Sequence, residues 1–89
     1  MQTRCLQIYV SGHCLGCEEA ALIAAEMAQA FPAIQVELID VQAPGVVLPS
    51  NVFATPTYLW NGKRYSLGNP RREDLRVAIV NSINGEGAK

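Results

Sequence analysis

The sequence carries no excess of charge of either sign. Seven Lys and Arg stand against eight Asp and Glu, a formal net charge of −1. A general nucleic-acid binder needs a concentrated basic face. Arg71 and Arg72 form a basic pair, but Glu73 and Asp74 follow at once, so the run reads as a solvated helix start. Charged residues are few, 17% against 49% hydrophobic, and this balance excludes a disordered chain. Long apolar runs are also missing. Ala20 to Ala25 are apolar, but Glu26 and Gln29 follow, so no membrane span is predicted. The residues ahead of Cys14 are mixed and include Arg4 and Gln7, unlike the apolar stretch of a signal peptide. A cytoplasmic protein is the expectation, binding neither nucleic acid nor membrane. No repeat, low-complexity tract or linker interrupts the 89 residues, which predicts a single domain over 1–89 with a frayed tail over 85–89.

Cysteine is scarce and odd in number. Three cysteines make poor material for a disulfide framework, and structural disulfides are rare in the cytosol. Two of them, Cys14 and Cys17, are spaced C-x-x-C, and in that compartment such a pair points to redox or metal chemistry. Cys5 stands alone in a strand and reads as an inert buried residue. His13, the single histidine, reads as a surface residue beside the pair.

The order of polar and apolar residues predicts the elements. Leu6, Ile8 and Val10 alternate with Gln7 and Tyr9, a strand over about 4–10. Ser11 and Gly12 break it. Residues from about Cys14 to Phe31 favour a helix. Glu19, Glu26 and Gln29 mark its narrow wet stripe, the remainder should be largely buried, and Pro32 ends it. Residues 34–40 alternate again as a second strand, and 42–51 read as a loop. A third strand covers Thr57 to Trp60. Asn61-Gly62 is a hairpin turn leading to a fourth strand over about Lys63 to Leu67. Asn69 as N-cap and Pro70 at the first helical position open a last helix. Leu75, Ala78, Ile79 and Ile83 form its buried stripe, and Gly85 ends it. A β-α-β crossover is right-handed and parallel, and a hairpin is antiparallel. The predicted fold class is therefore α/β, a mixed four-stranded sheet flanked by helices.

Cys14 falls where a strand has ended and a helix begins. Unpaired N–H groups and the positive end of the helix dipole stabilise a thiolate there. Cys17 lies about one turn further, within reach, so the pair suits a disulfide that opens and closes. Half of a metal site, or two small buried residues, remain open on the spacing alone. Far away in sequence, Pro56 directly precedes an apolar strand although proline cannot donate to a ladder. A cis Thr55–Pro56 bond would account for it.

Together these features resemble the thioredoxin-fold superfamily, in the manner of a small thioredoxin- or glutaredoxin-like protein. Cys14-Leu15-Gly16-Cys17 follows the first strand, Ala54-Thr55-Pro56-Thr57 opens the third, and Asn61-Gly62-Lys63 with Gly68 precedes the final helix. The resemblance covers about residues 4–84. It implies Cys14 as attacking and Cys17 as resolving cysteine, with Pro56 as a cis-proline beside them. Thr55, Pro56, His13 and Leu15 become the expected substrate contacts. The implied activity is dithiol exchange with a protein disulfide in a monomer. It needs no cofactor within the chain, and a reductase or small thiol supplies electrons.

There are departures. Thioredoxins carry W-C-G-P-C where this chain has His13-Cys14-Leu15-Gly16-Cys17, and a buried aspartate where it has Ile8. Glutaredoxins show T-V-P and Gly-Gly-x-Asp where it has Thr55-Pro56 and Gly68-Asn69, which favours a protein disulfide over glutathione. Protonated His13 would stabilise the Cys14 thiolate, while Glu18 and Glu19 oppose it. A poorly stabilised thiolate keeps the disulfide, so a reductant is expected rather than a strong oxidant.

Two rival classes are weighed. Val10 to Cys17 resembles the G-M-x-C-x-x-C loop of soft-metal chaperone domains, in which two thiolates hold Cu(I). However, no methionine follows Gly12, the spacing is one residue short, and the chain ends in a helix instead of a strand. A zinc site within the chain would need four ligands, and only Cys5 and His13 remain. The other rival is a binding module that recognises a partner without turnover.

Overall fold

Alternation along residues 5–10 places Leu6, Ile8 and Val10 on one side of a strand and Tyr9 on the other. That strand is the middle of the fold. The computed structural model describes residues 4–87. It contains β1 (Cys5–Val10), α1 (Cys17–Ala30), β2 (Gln35–Asp40), β3 (Thr57–Trp60), β4 (Lys63–Leu67) and α2 (Arg72–Gly87). The strand order is β2-β1-β3-β4. β1 runs parallel to β2, with Leu6 opposite Val36, and antiparallel to β3, with Ile8 opposite Tyr58. β3 and β4 form the hairpin, whose turn residues Asn61 and Gly62 have φ of 51° and 85°. Both central positions of a type I′ turn require that region, which is why Asn-Gly reads so clearly.

The two faces of the sheet are covered differently. Leu6, Ile8 and Tyr58 pack with Ala20, Ile23, Ala24 and Met27 of α1 and with Leu75 and Ile79 of α2, so both helices share one core. Tyr9, Leu59 and Val52 form a smaller cluster flanked by Ile39 and Val41, where the long loop after β2 lies on the opposite face. β1 therefore ends between two packed layers, and its carboxyl end is where open α/β sheets place their ligands.

Several expectations are corrected. α1 begins at Cys17, not Cys14, because Gly16 takes the left-handed region (φ 87°) and stops the helix from reaching back. α1 is not largely buried: Cys17, Ala20, Ile23, Ala24 and Met27 face inwards, while Leu22 is 56% exposed. Its stripe of polar residues is not simply wet, nor is Arg72 simply solvated. Arg72 donates to Glu26 at 2.7 Å and also pairs with Glu19, joining the two helices. The hydrogen bonds that Arg72 donates to Glu26 and Glu19 hold the guanidinium pKa above its ordinary value. α2 begins at Arg72, with the Arg71 carbonyl accepting from Leu75 N–H at 3.0 Å. Asn69 does not cap it, because its amide is used elsewhere. α2 also passes Gly85 and runs to Gly87; glycine weakens a helix by only about 1 kcal/mol and does not stop one alone. Of the expected frayed tail, Ala88 and Lys89 lie outside the described residues. Among the described residues no helix is long and apolar enough to cross a membrane.

Candidate active site

Six residues, Ser11 to Gly16, lead from β1 into α1. Cys17 N–H bonds back to the Cys14 carbonyl at 3.2 Å, closing a turn, and the Gly16 carbonyl accepts the first helical bond from Ala20 at 2.9 Å. This turn brings the Cys14 and Cys17 Cα atoms to 5.4 Å, and the two sulfurs are joined in a disulfide, an ordinary separation for one. Their environments differ. Cys14 is half-buried in the turn, whereas Cys17, the first residue of α1, is only 7% exposed. The dipole of α1 therefore terminates on Cys17, not Cys14 as the sequence suggests.

Side chains from distant elements hold this loop. Ser11 N–H points at Cys17 Sγ (3.5 Å), and the Ser11 and Thr55 hydroxyls lie 3.2 Å apart. Gln42, after β2, accepts from Gly12 N–H at 3.3 Å. Asn69 donates to the Gly16 carbonyl at 2.8 Å and accepts from the Tyr58 hydroxyl at 2.8 Å. Burial pushes the Tyr58 phenol well above the ordinary tyrosine range, so it stays a neutral donor. A Cβ on Gly16 would meet Asn69 Nδ2 at 3.1 Å and sit at φ 87°. Gly16→Ala is accordingly expected to destabilise the protein by roughly 1–2 kcal/mol from the left-handed backbone alone. Urea unfolding of the oxidised protein measures this, and an unchanged midpoint would mean that the turn relaxes without cost.

The predicted site residues are distributed as follows. Leu15 is 99% exposed and His13 is exposed in the same turn. Thr55 is half-buried and Pro56 buried; the peptide between them is cis. Thr55 connects to the disulfide through Ser11. Glu18 is exposed, and Glu19 is taken up by Arg72. Ile8 is wholly buried in the core. Cys5, read from sequence as buried and inert, is only half-buried at the far end of β1. Burial and then Glu37 push its thiol pKa up, which keeps it protonated. Ser11, Gln42 and Asn69 are the residues that sequence reasoning missed. Ser11 and Asn69 carry strong local meanings, strand breaker and helix cap, which hide their longer-range partners. Gln42 has no local signal.

Two grooves meet at Ser11, and the disulfide lies in the wall of the first. One of about 530 Å³ is lined by Val10, Gly12, Cys14, Leu15, Cys17 and Glu18. The other, about 340 Å³, is lined by Val41, Gln42, Leu48, Val52, Phe53 and Thr55. Phe53 is 69% exposed with the Arg64 guanidinium 5.3 Å from its ring centre. Leu48 and Leu15 add further exposed apolar surface. Among the described residues, no three His, Cys, Asp or Glu side chains are grouped so as to hold a metal ion.

No protein-family model matches the chain, and no curated protein matches it in sequence. Solved structures do match. Fasciola hepatica thioredoxin superposes with a TM-score of 0.68 at 21% identity, covering 88% of this chain and 79% of that one. A chain from a study of thiol resolving in yeast mitochondrial 1-Cys peroxiredoxin via glutathione/thioredoxin systems gives 0.69 at 16%, covering 91% and 80%. Oxidised thioredoxin O2 from Arabidopsis thaliana gives 0.65 at 14%, covering 88% and 73%. The chain has the thioredoxin fold. Within that fold the C-x-x-C pair is joined as a disulfide.

Proposed function

We propose that the protein exchanges dithiols with protein disulfides, Cys14 attacking and Cys17 resolving. The observation that carries this reading is the unequal burial of the two sulfur-bearing residues. Cys14 is half-buried at the rim of a groove, and Cys17 is covered. An incoming disulfide meets Cys14 first, while Cys17 waits one turn away for an intramolecular attack. A staple role explains the pair poorly. Closing a loop between residues three apart stabilises a fold by only about 2 kcal/mol on the chain-entropy estimate.

His13, Leu15, Thr55 and Pro56 are the proposed substrate contacts. His13 and Leu15 are exposed next to Cys14, and Thr55 borders the second groove. The apolar surface of Leu15, Leu48 and Phe53 suits a polypeptide better than a small charged thiol. Exposed Glu18 beside the pair opposes a stable thiolate and favours the reductant direction. A reductase or a small thiol in the cytoplasm would regenerate the dithiol.

The test is equilibration in defined thiol buffers, followed by alkylation and mass counting of modified cysteines. The expected result is a reversible two-electron transition, nearer to about −270 mV than to about −120 mV. A pair that never cycles between disulfide and dithiol would overturn the reading.

A further inference from the structure

Asn69 joins the cysteine turn to the core. Its Nδ2 donates to the Gly16 carbonyl at 2.8 Å, and its Oδ1 accepts from the Tyr58 hydroxyl at 2.8 Å. Tyr58 has no exposed surface and sits on β3 opposite Ile8, inside the core shared by both helices. The amide has one workable orientation. A carbonyl oxygen only accepts, so the Asn69 nitrogen must face Gly16, and the Asn69 oxygen is left for the tyrosine proton.

The bond falls on the peptide that carries the covered cysteine. The Gly16 carbonyl also accepts from Ala20 N–H at 2.9 Å, so both of its lone pairs are engaged. The N–H of the same planar unit belongs to Cys17 and bonds to the Cys14 carbonyl at 3.2 Å. The plane between Gly16 and Cys17 is therefore held at both ends. Of its three bonds, that to Ala20 lies in α1 and that to Cys14 lies in the turn, whereas Asn69 reaches it from the segment between β4 and α2. Glycine at position 16 permits the approach, since a Cβ there would stand 3.1 Å from Asn69 Nδ2.

We propose that Asn69 is a positioning residue for the cysteine pair, fixing the Gly16–Cys17 peptide against Tyr58 so that the Cys17 sulfur stays within reach of Cys14 when the disulfide is open. Its role in turnover rests on the proposed exchange reaction. There the Cys17 thiolate attacks Cys14 of the mixed disulfide. The Cys14–Cys17 bond forms, the bond to substrate breaks, and the substrate sulfur leaves with the electron pair. That sulfur takes a proton from water, replacing the one Cys17 released. The same closure occurs with a small reagent. The two protein thiols give two electrons and two protons to oxidised dithiothreitol, whose S–S bond opens as the Cys14–Cys17 bond forms.

Closure is intramolecular, so its equilibrium depends on how far the open turn strays from the closed geometry. Asn69 holds the open turn near that geometry. Without it the dithiol form gains conformational freedom that the disulfide form lacks, and the equilibrium moves towards the dithiol.

The test is the disulfide equilibrium of the full chain against reduced and oxidised dithiothreitol at neutral pH, read by alkylation and mass. Asn69→Ala removes both side-chain bonds, and Tyr58→Phe removes only the hydroxyl that orients the amide. Asn61→Ala is the structural control. Its side chain accepts from Cys5 N–H, at the opposite end of β1 from the cysteine turn, and its φ is 51°. It should lower the urea midpoint and leave the disulfide equilibrium alone. Asn69→Ala is expected to favour the dithiol about fivefold, the size of one net hydrogen bond, which makes the potential about 20 mV less negative. Tyr58→Phe should shift it in the same direction by less. An equilibrium that ignores Asn69→Ala, or that Asn61→Ala moves equally, overturns the positioning role. The measurement needs no protein substrate. If protein disulfides are not exchanged the proposed function fails, and the Asn69→Ala shift still reads out.

Discussion

Cys17→Ser is expected to arrest the protein as a mixed disulfide, at about one substrate per chain. Cys14→Ser should form none through the active pair. The asymmetry follows from burial. With Cys17 removed, the half-buried Cys14 still meets an incoming disulfide, but no second thiol lies in position to displace the product. With Cys14 removed, the remaining cysteine is the covered one, 7% exposed as a residue in the oxidised protein, and a bulky disulfide has poor access to it. Turnover should fall on the order of a thousandfold or more in both, because each step needs its own sulfur. The adducts, not the rates, separate the roles. Mass spectrometry of the two variants after exposure to a disulfide-bonded protein reads them directly. Equal trapping by both variants would reverse or abolish the assignment of attacking and resolving cysteine. Cys5 is the control. Its half-buried thiol, held protonated by burial and Glu37, should contribute little to either adduct.

Ile8→Asp is expected to cost about 4 kcal/mol or more at neutral pH. Ile8 has no exposed surface and lies on β1 within the core shared by both helices. Losing the apolar side chain removes roughly 2–3 kcal/mol of burial, and an unpartnered carboxyl adds its desolvation. For a domain whose total stability is of order 5–15 kcal/mol, this is close to unfolding. The pH dependence identifies the cause. Burial raises the folded carboxyl pKa above the unfolded value of about 3.9. The folded state then holds its proton more tightly than the unfolded one. Stability is greatest below the unfolded pKa and falls as pH rises towards the folded pKa. Urea midpoints for the variant should therefore drop between about pH 4 and pH 7 relative to the parent. An equal loss at both pH values would mean that the carboxyl has found a partner or reached water.

Much of the fold is legible in the sequence because it depends on local rules. Asn61-Gly62 requires positive φ at both positions, and the turn appears there. β3 and β4 have the predicted limits, and Leu75 and Ile79 lie in the core as their spacing requires. Less legible were the helix starts. Cys14 and Pro70 both satisfy local helix-start preferences, yet α1 and α2 begin at Cys17 and Arg72. The competing partners come from elsewhere in the chain. Asn69 is a good cap in isolation, but the buried Tyr58 hydroxyl and the Gly16 carbonyl both claim its amide. Arg72 and Glu26 each read as solvated, because nothing in a one-dimensional pattern reveals that two helices will bring them within 2.7 Å.

The candidate site divides along the same line. Cys14 and Cys17 pair through a turn of four residues, so their spacing alone nearly determines that the sulfurs can meet. Their unequal burial is different. It arises because Gly16 delays the helix until Cys17, turning that residue towards the core beside Ala20 and leaving Cys14 at the rim. Ser11 acquires its place only when β1, α1 and the Thr55–Pro56 segment converge. By itself the sequence determined the order of elements, the hairpin, the alternating core of β1 and the cysteine pair, because these follow from backbone preference and periodic burial over a few residues. Tertiary structure alone decided which sulfur is covered and which side chains brace the loop. Those contacts join residues tens of positions apart, and they form only once the sheet and both helices have packed.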